Sequence, residues 1–269
     1  MKAAEIHSFF QQLGTWMDWS RTVDGFRFGD PETEVTGIAV AWKPYWADLR
    51  RATELGCSLF VGHESIFREG SMQPGDESPA ATPPEQGKAA WLRESGLVVY
   101  RCHDLWDLFP DLGVRDSWAR GLGFPGAPLA ESGFSRIEDV SGRTFGSLAA
   151  DIAARVAPLG QSGVLAAGDP SQPVTRLALA SGASALETVL DLGADVILCY
   201  DDYFRQVRDG ALLRDIGVPY LVVNHGTLEE WGLRNLAQYL AGQFPGCPVH
   251  HLAQGCTYRI VTAGGSGLG

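Results

Sequence analysis

The chain lacks several features that would each mark a class of protein. Its cysteines form no CxxC pair, and their odd number and wide spacing argue against a disulfide framework; they are Cys57, Cys102, Cys199, Cys247 and Cys256. No apolar run approaches the roughly 20 residues that cross a bilayer, and the first residues lack the continuous apolar core of a signal peptide. These absences predict a soluble, cytoplasmic protein with free thiols and no membrane partner.

Positive charge is also scarce. The chain carries 21 Lys and Arg residues against 32 Asp and Glu residues, which gives a net charge of -11 at pH 7. Because such a charge repels phosphates, we expect no general binding to nucleic acid or anionic membranes. A small anionic ligand remains compatible with it, since a bound metal ion reverses the local field.

Three familiar catalytic and nucleotide-binding motifs are missing as well. No GxxxxGK[ST] phosphate loop occurs, and "GLGFPG" (121–126) neither follows a strand nor opens a helix, as a dinucleotide fingerprint must. Ser65 does not lie in a GxSxG elbow, which argues against a serine hydrolase.

What the sequence does contain is an alternation of buried strands and helices. In the first half, predicted strands at 35–42, 58–62 and 97–102 alternate with helices at 45–55 and 85–95, with a polar loop at 69–84. After a glycine- and proline-rich stretch the alternation restarts, with strands near 163–167 and at 175–181, 195–200, 219–225 and 257–263 and helices at 144–157, 184–192, 203–216 and 228–242. We predict two related α/β domains, each with a mostly parallel or mixed sheet flanked by helices, formed by 1–125 with 230–269 and by 126–229.

Three of the six histidines lie at or just beyond the carboxyl end of a predicted strand. An acid follows each at short range: Glu64 after His63, Asp107 after His103, and Glu229 after His225. Ligands bind at that edge of an open parallel sheet, and imidazole with carboxylate suits zinc, manganese or iron. Three such strand ends in a chain poor in histidine predict a metal site.

Each of these positions also has a purely structural interpretation. His63 could be a core histidine satisfied by a backbone carbonyl, and Asp107 could be the acid of a helix capping box. Glu229 could be an acid in the first turn of a helix, where the dipole favours negative charge. His250 and His251 are more typical of surface or edge-strand residues than of ligands. The joint pattern at the three strand ends favours the metal site.

Taken together, these residues resemble the NIF-three-like dinuclear-metal family, often labelled GTP cyclohydrolase I type 2 homologues. The similarity runs through five segments: "DGFRFGDPETEVTGIAVAW" (24–42), "VGHESIF" (61–67), "YRCHDLWD" (100–107), "GDPSQPVTRLALASGASALETVLDLGADVILC" (168–199) and "NHGTLEE" (224–230). Their order and spacing carry the resemblance, which covers almost the whole chain.

The resemblance implies a toroidal homo-hexamer of two-domain subunits, with two divalent metal ions per chain (Mn, Fe, Zn or Mg) in the interdomain cleft. The ligands it implies, position by position, are His63, Glu64, Asp107, His225 and Glu229. It also implies that His103 lies near the metals.

Two departures from the family pattern bear on the chemistry. Glu64 stands where the commoner pattern has histidine, which makes the implied site harder and more negative and favours manganese, iron or magnesium over zinc. The stretch "CYDDYFRQ" (199–206) lacks the lysine and the histidine that relatives usually show there. A substrate handled by those two residues would not carry over to this chain.

Two functions follow as expectations. The first is a metal-dependent hydrolase, in which two ions bridged by Asp107 and Glu229 lower the pKa of a shared water to give a hydroxide nucleophile. In it His103 is a hydrogen-bonding partner or proton shuttle, Glu64 is a ligand or general base, and the substrate is a GTP-like small molecule. The second is a ring-shaped metal-binding scaffold or metal-handling protein without turnover.

Overall fold

The computed structural model of the protein describes residues 1–68, 79, 82–180, 186–202 and 204–261. Most of the predicted loop at 69–84, and all of "SGASA" (181–185), lie outside these residues. The strands are β1 (Gly25–Phe28), β2 (Ile38–Ala41), β3 (Leu59–Gly62), β4 (Val98–Arg101), β5 (Ala130–Ser132), β6 (Ser135–Thr144), β7 (Leu165–Ala167), β8 (Pro173–Ala180), β9 (Val196–Tyr200), β10 (Tyr220–Val223) and β11 (Val249–His251).

The α-helices of the described residues are α1 (Ala3–Leu13), α2 (Trp46–Glu54), α3 (Pro83–Ser95), α4 (Asp104–Leu108), α5 (Val114–Gly121), α6 (Phe145–Val156), α7 (Leu186–Asp191), α8 (Ala211–Asp215) and α9 (His225–Gln243). A 3-10 turn (Ala157–Leu159) follows α6, and a π-helical turn (Gln206–Gly210) precedes α8. None of the helices described is long and apolar enough to cross a membrane.

The chain forms two compact units. The first comprises Met1–Ser117 and Trp231–Ala253, and the second comprises Trp118–Glu230 and the residues from Gln254 onward. The sequence-based division differs mainly at the C-terminus, where it assigns all of 230–269 to the first domain. The physical reason is local, since the main-chain N–H groups of Gln254 and Gly255 donate to Glu230 of the second unit.

The first unit is built on a five-stranded sheet in the order β1-β4-β3-β2-β11. β1 is antiparallel to β4, and the other neighbours are parallel. All residues of β2, β3 and β4 are buried, as expected for parallel strands covered on both faces. Helix α2 packs Leu49 and Ala52 into the same core as Phe60 and Val99.

The second unit contains a six-stranded sheet in the order β5-β6-β8-β9-β10-β7. Its parallel centre is formed by β8, β9 and β10, and antiparallel strands complete both sides. The buried strands β9 and β10 are continuous apolar runs, whose side chains pack with Val189 of α7 and Leu213 of α8. The prediction of two α/β units with mixed sheets and flanking helices is confirmed.

Two predictions near the C-terminus need correction, namely the start of one helix and the position of the last strand. Helix α9 begins at His225 and not at residue 228, so His225 is itself helical. The predicted strand at 257–263 is absent from the described residues, which reach Val261. The last strand is instead β11, an edge strand parallel to β2 that contains His250 and His251, which confirms the edge-strand prediction for these two histidines.

The strand register brings the site residues of each unit to one sheet edge. In the first unit, Gly62 at the end of β3 lies opposite Arg101 at the end of β4, so the residues just beyond, His63 and His103, follow neighbouring strand ends. In the second unit, Tyr200 at the end of β9 lies opposite Val223 of β10.

Candidate metal centre

The first unit brings four of the predicted site residues together, which we call the first ligand group: His63, Glu64, His103 and Asp107. Ligand atoms of the first three lie within 4.8 Å of one another. Nε2 of His63 lies 3.2 Å from Oδ1 of Asp107, and the imidazole rings of His63 and His103 stack with centroids 4.5 Å apart. The resemblance implied that His103 lies near the metals, and the geometry allows it to be a ligand.

The hydrogen bonds of His63 fix which nitrogen carries its hydrogen. Nδ1 lies 2.9 Å from the carbonyl oxygen of Cys102, and because a carbonyl only accepts, Nδ1 is the donor. In the neutral ring Nε2 then presents a lone pair to the carboxylate of Asp107. Two acceptors at that distance repel each other unless a proton or a cation lies between them.

The electrostatics of His103 favour a neutral His63. Burial alone lowers the pKa of His103, but the negative charge of Asp107 and the hydrogen bond to Asp104 outweigh it and raise that pKa. A second charge on the stacked ring would cost roughly 4 kcal/mol at an effective dielectric constant of about 20. The raised pKa favours a proton on His103, and a charged His103 would disfavour a second charge on the stacked ring of His63.

Glu64 is held by a buried arginine. The guanidinium of Arg101 donates to Oε2 of Glu64 at 3.2 Å and to the carbonyl oxygen of His63 at 3.0 Å. Oε1 of Glu64 lies 3.8 Å from Nε2 of His103. Arg101 thus offsets the charge of this carboxylate and directs its other oxygen toward the histidines.

A second buried carboxylate holds the short helix that carries Asp107. Asp24 accepts the main-chain N–H groups of His103, Asp104 and Leu105 at 2.7, 2.9 and 2.9 Å, which caps the first turn of α4. Burial raises the pKa of Asp24 to about 6, against the opposing effect of these hydrogen bonds. The helix is therefore capped from a distant segment, and not by a capping box that includes Asp107.

The second unit holds the other two predicted ligands, His225 and Glu229, which we call the second ligand group. They are four residues apart in α9 and so lie on one face of the helix, with His225 Nε2 3.0 Å from Glu229 Oε1. Glu229 is only 2% exposed and lies in the second turn. The interpretation of Glu229 as an acid in the first helical turn is wrong, because α9 begins at His225.

Two further residues orient the second ligand group. Nδ1 of His225 lies 2.9 Å from Oδ2 of Asp202, an arrangement that leaves Nε2 to a metal and raises the basicity of the ring. The hydroxyl of Tyr200 donates to Oε1 of Glu229 at 3.1 Å, and its ring stacks on His225 with centroids 4.1 Å apart. Tyr200 is the last residue of β9, and Asp202 lies two residues beyond it.

Both groups fit a divalent cation by the same design. In each, Nδ1 of a buried histidine is engaged by an oxygen, and Nε2 faces a carboxylate: Asp107 for His63 and Glu229 for His225. Oδ1 of Asp107 is buried and forms no hydrogen bond within the described residues. Imidazole and carboxylate are the donors that manganese, iron and zinc share, so both groups contain side chains that can bind metal.

Four contributors escaped the sequence analysis, namely Asp24, Arg101, Tyr200 and Asp202. Asp202 follows β9 almost directly, so an acid just beyond a strand end is the signal that predicts it. Arg101 is a charged residue in a run that is otherwise apolar, which is itself a signal. Asp24 accepts hydrogen bonds from residues about 80 positions away in sequence, and no local sequence pattern predicts such a contact.

Comparison with known proteins identifies relatives of the chain by sequence and by fold. The sequence model of the family described as Duf34/NIF3 (NGG1p interacting factor 3) matches residues 1–254. A relative from Pseudomonas aeruginosa, called GTP cyclohydrolase 1 type 2 homolog, is 26% identical over 216 residues, which is 77% of this chain and 79% of the relative.

Solved structures share the fold at low sequence identity. The hypothetical protein SA1388 of Staphylococcus aureus matches with a TM-score of 0.77 and 18% identity, over 97% of this chain and 99% of that one. A Bacillus cereus protein related to NIF3 matches with a TM-score of 0.74 and 13% identity, over 98% and 99%. At these identities the likeness establishes the fold alone.

Proposed function

The chain belongs to the Duf34/NIF3 family, and we propose that it is a metal-dependent hydrolase that holds two divalent ions with His63, Glu64, Asp107, His225 and Glu229. The observation that carries the proposal is the repeated pairing of a histidine Nε2 with a carboxylate oxygen, at 3.2 Å for His63 and Asp107 and at 3.0 Å for His225 and Glu229. Where Nε2 presents a lone pair, the nitrogen and the carboxylate repel each other unless a proton or a cation lies between them, and a divalent ion would satisfy both pairings.

Bound divalent ions supply Lewis acidity, which activates water and polarises the group under attack. The residues of the chain do the rest. His103, whose pKa is raised by Asp107 and by its hydrogen bond to Asp104, would give a proton to a leaving group. Glu64, with one oxygen held by Arg101, serves as a ligand or as the general base.

We propose a GTP-like nucleotide as the first substrate class to test, because the Pseudomonas aeruginosa relative carries that name. Metal-loaded protein is screened against GTP, other nucleotides and phosphoesters, and Asp107→Ala is the inactive variant. Asp151→Asn is the matched control, since Asp151 is 49% exposed and pairs only with Arg143 among the contacts described. We expect turnover in the wild type and the control and its loss in Asp107→Ala. Activity that survives in Asp107→Ala would contradict the hydrolase.

A non-catalytic metal-binding scaffold is the second candidate. It is favoured by the net charge of -11, which repels a nucleotide triphosphate, and by the absence of lysine and histidine from residues 199–206. Metal binding without turnover on any compound of the screen would support it over the hydrolase.

For either function we propose a homo-hexamer located in the cytoplasm. The support is the family resemblance, and light scattering after size exclusion tests the assembly. We expect a mass six times the 29.0 kDa of one chain, and a monomer would contradict the ring.

A further inference from the structure

Residues 254–258 have no regular secondary structure, yet they are hydrogen-bonded to the second unit at several points. We call this segment the C-terminal clasp. It follows β11, and its last two residues, 257 and 258, lie in the strand predicted at 257–263. Because it forms no helix or strand, its main-chain N–H groups need hydrogen-bond partners elsewhere.

The clasp hydrogen-bonds to Glu230, the acid that follows the proposed ligand Glu229. The main-chain N–H groups of Gln254 and Gly255 donate to Oε2 of Glu230 at 3.3 and 3.1 Å. Glu230 is 1% exposed and directly follows Glu229 in α9. Glu230 therefore serves as an acceptor for the clasp, which sets it apart from its neighbour.

The clasp also hydrogen-bonds to Asn224, the residue before His225. Asn224 accepts from the main-chain N–H of Thr257 at 3.1 Å and donates to the Thr257 hydroxyl at 2.8 Å. The same Asn224 amide donates to Oδ2 of Asp201 at 3.0 Å, and Oδ1 of Asp201 accepts the main-chain N–H of His225. The hydroxyl of Tyr258 also hydrogen-bonds Asp201. Thr257 and Tyr258 thus hold the two residues that hold the start of α9.

A glycine sets the path of the clasp. Gly255 has φ +58°, in the left-handed region, and a Cβ atom there would lie 2.2 Å from the carbonyl oxygen of Leu159. The next residue, Cys256, donates its N–H to that same carbonyl at 3.1 Å. Both the conformation and the space require glycine, so the close approach is specific to this position.

We propose that the C-terminal clasp is a positioning element of the metal centre. It fixes the turn from β10 into α9 from both sides of the second ligand group, through Asn224 and Asp201 before His225 and through Glu230 after Glu229. The metal affinity of the protein then depends on residues that touch no metal. This inference rests on the proposed metal-binding function.

The test is the double variant Thr257→Val/Tyr258→Phe, which removes two hydroxyls and keeps the size of both side chains. Hydrogen exchange of metal-free protein, followed by mass spectrometry, reports on residues 223–230, and competition with a chelator gives the Kd for Mn²⁺. We expect faster exchange in that segment alone and a Kd raised about tenfold, the lower end for partners behind metal ligands. Val261→Ser, at a position that is 63% exposed, is the control and should change neither quantity.

Unchanged exchange and unchanged Kd in the double variant would overturn the inference. Faster exchange with an unchanged Kd would also overturn it, because the clasp would then hold the turn without serving the metal. If the double variant does not fold, Tyr258→Phe alone is measured in the same way. A wild-type protein that binds no Mn²⁺, Fe²⁺ or Zn²⁺ would instead refute the proposed function, and the exchange data would still decide whether the clasp fixes the turn.

Discussion

For single residues, the chemistry of the candidate centre depends on which histidine nitrogen faces a carboxylate. His63 directs Nδ1 to a backbone carbonyl and His225 directs it to Asp202, so in both rings Nε2 is the nitrogen that a metal would take. The partners of the two Nδ1 atoms differ, since one is a backbone carbonyl and the other is a side-chain carboxylate. The carbonyl of Cys102 is part of the strand ladder, whereas Asp202 is a half-exposed side chain that can be replaced without opening a core.

Asp202→Asn should therefore weaken metal binding and leave the fold intact. An amide carries no charge to support the imidazole of His225, and its NH₂ group can turn toward Nδ1. We expect a Kd for Mn²⁺ raised about tenfold, measured by chelator competition, with Asp151→Asn as the control. Equal affinity in the variant and the wild type would show that Asp202 does not orient the ligand.

A histidine outside the proposed centre gives a prediction about pH. His7 packs among Trp19, Phe26 and Tyr100, and burial lowers its pKa below the ordinary 6.5. As the pH falls, the unfolded chain takes up this proton before the folded one, so His7 contributes stability above about pH 6.5 that is lost on acidification. Urea unfolding should show a smaller difference between about pH 7.5 and about pH 5.5 in His7→Gln than in the wild type. An equal difference would contradict the assignment.

Residue chemistry was only partly predictable from the sequence. His63, His225 and their acids stood out because each follows an apolar run, and the structure pairs each histidine with an acid of its own unit. The interpretation of His63 as a core histidine satisfied by a backbone carbonyl is right for Nδ1, which contacts the carbonyl of Cys102. It does not account for Nε2, which faces Asp107. Arg101 and Asp24 could not be assigned roles, because their partners lie tens of residues away in sequence.

For whole elements, the short helix α4 shows how the site is held in place. It has five residues and carries Asp107, and a helix of that length has little stability of its own. Its first turn is capped by Asp24, and Oδ2 of Asp104 accepts from the Thr22 hydroxyl at 2.7 Å. The loop before β1 and the helix after β4 therefore hold each other.

Asp24→Ala tests this capping directly. The variant leaves buried N–H groups at the start of α4 without an acceptor, and we expect a loss of about 1–3 kcal/mol in the free energy of unfolding. Metal-free protein is compared by urea unfolding, with Asp151→Asn as the control, and the Kd for Mn²⁺ should rise as α4 frays. Unchanged stability would show that α4 does not depend on Asp24.

Element boundaries were the weakest part of the sequence interpretation. The strands that end at Gly62, Arg101 and Val223 were predicted, because continuous apolar runs bounded by turns define them. The start of α9 was placed too late, because the cap of the helix is formed by side chains such as Asp201 that are distant in sequence. The alternation in "TYRIVTA" suggested a strand, but the described part of this segment bonds to side chains of the second unit instead of to a strand edge.

For the whole molecule, burial sorts the thiols into two classes. Cys57, Cys102 and Cys199 are buried in the two cores, and Cys247 and Cys256 are partly exposed. Burial raises the pKa of Cys57 to about 11 and raises those of Cys102 and Cys199 as well. The expectation of free thiols thus agrees with the fold, although only three of the five are buried.

Alkylation of the native protein near neutral pH should accordingly modify Cys247 and Cys256 first. The three buried thiols should react only after unfolding, because the thiolate is the reactive form and burial suppresses it. Peptide mass spectrometry over time measures the order. Early labelling of Cys57, Cys102 or Cys199 would contradict the packing described for both units.

The metal content of the purified protein tests the central claim most directly. We expect about two equivalents of Mn, Fe or Zn per chain in the wild type, with clear losses in His63→Ala/Asp107→Ala and in His225→Ala/Glu229→Ala. The control His250→Ala/Asp151→Asn, which removes a histidine and an acid elsewhere, should keep the full amount. Protein that stays metal-free after incubation with all three metals, or paired variants that retain as much metal as the control, would contradict the account.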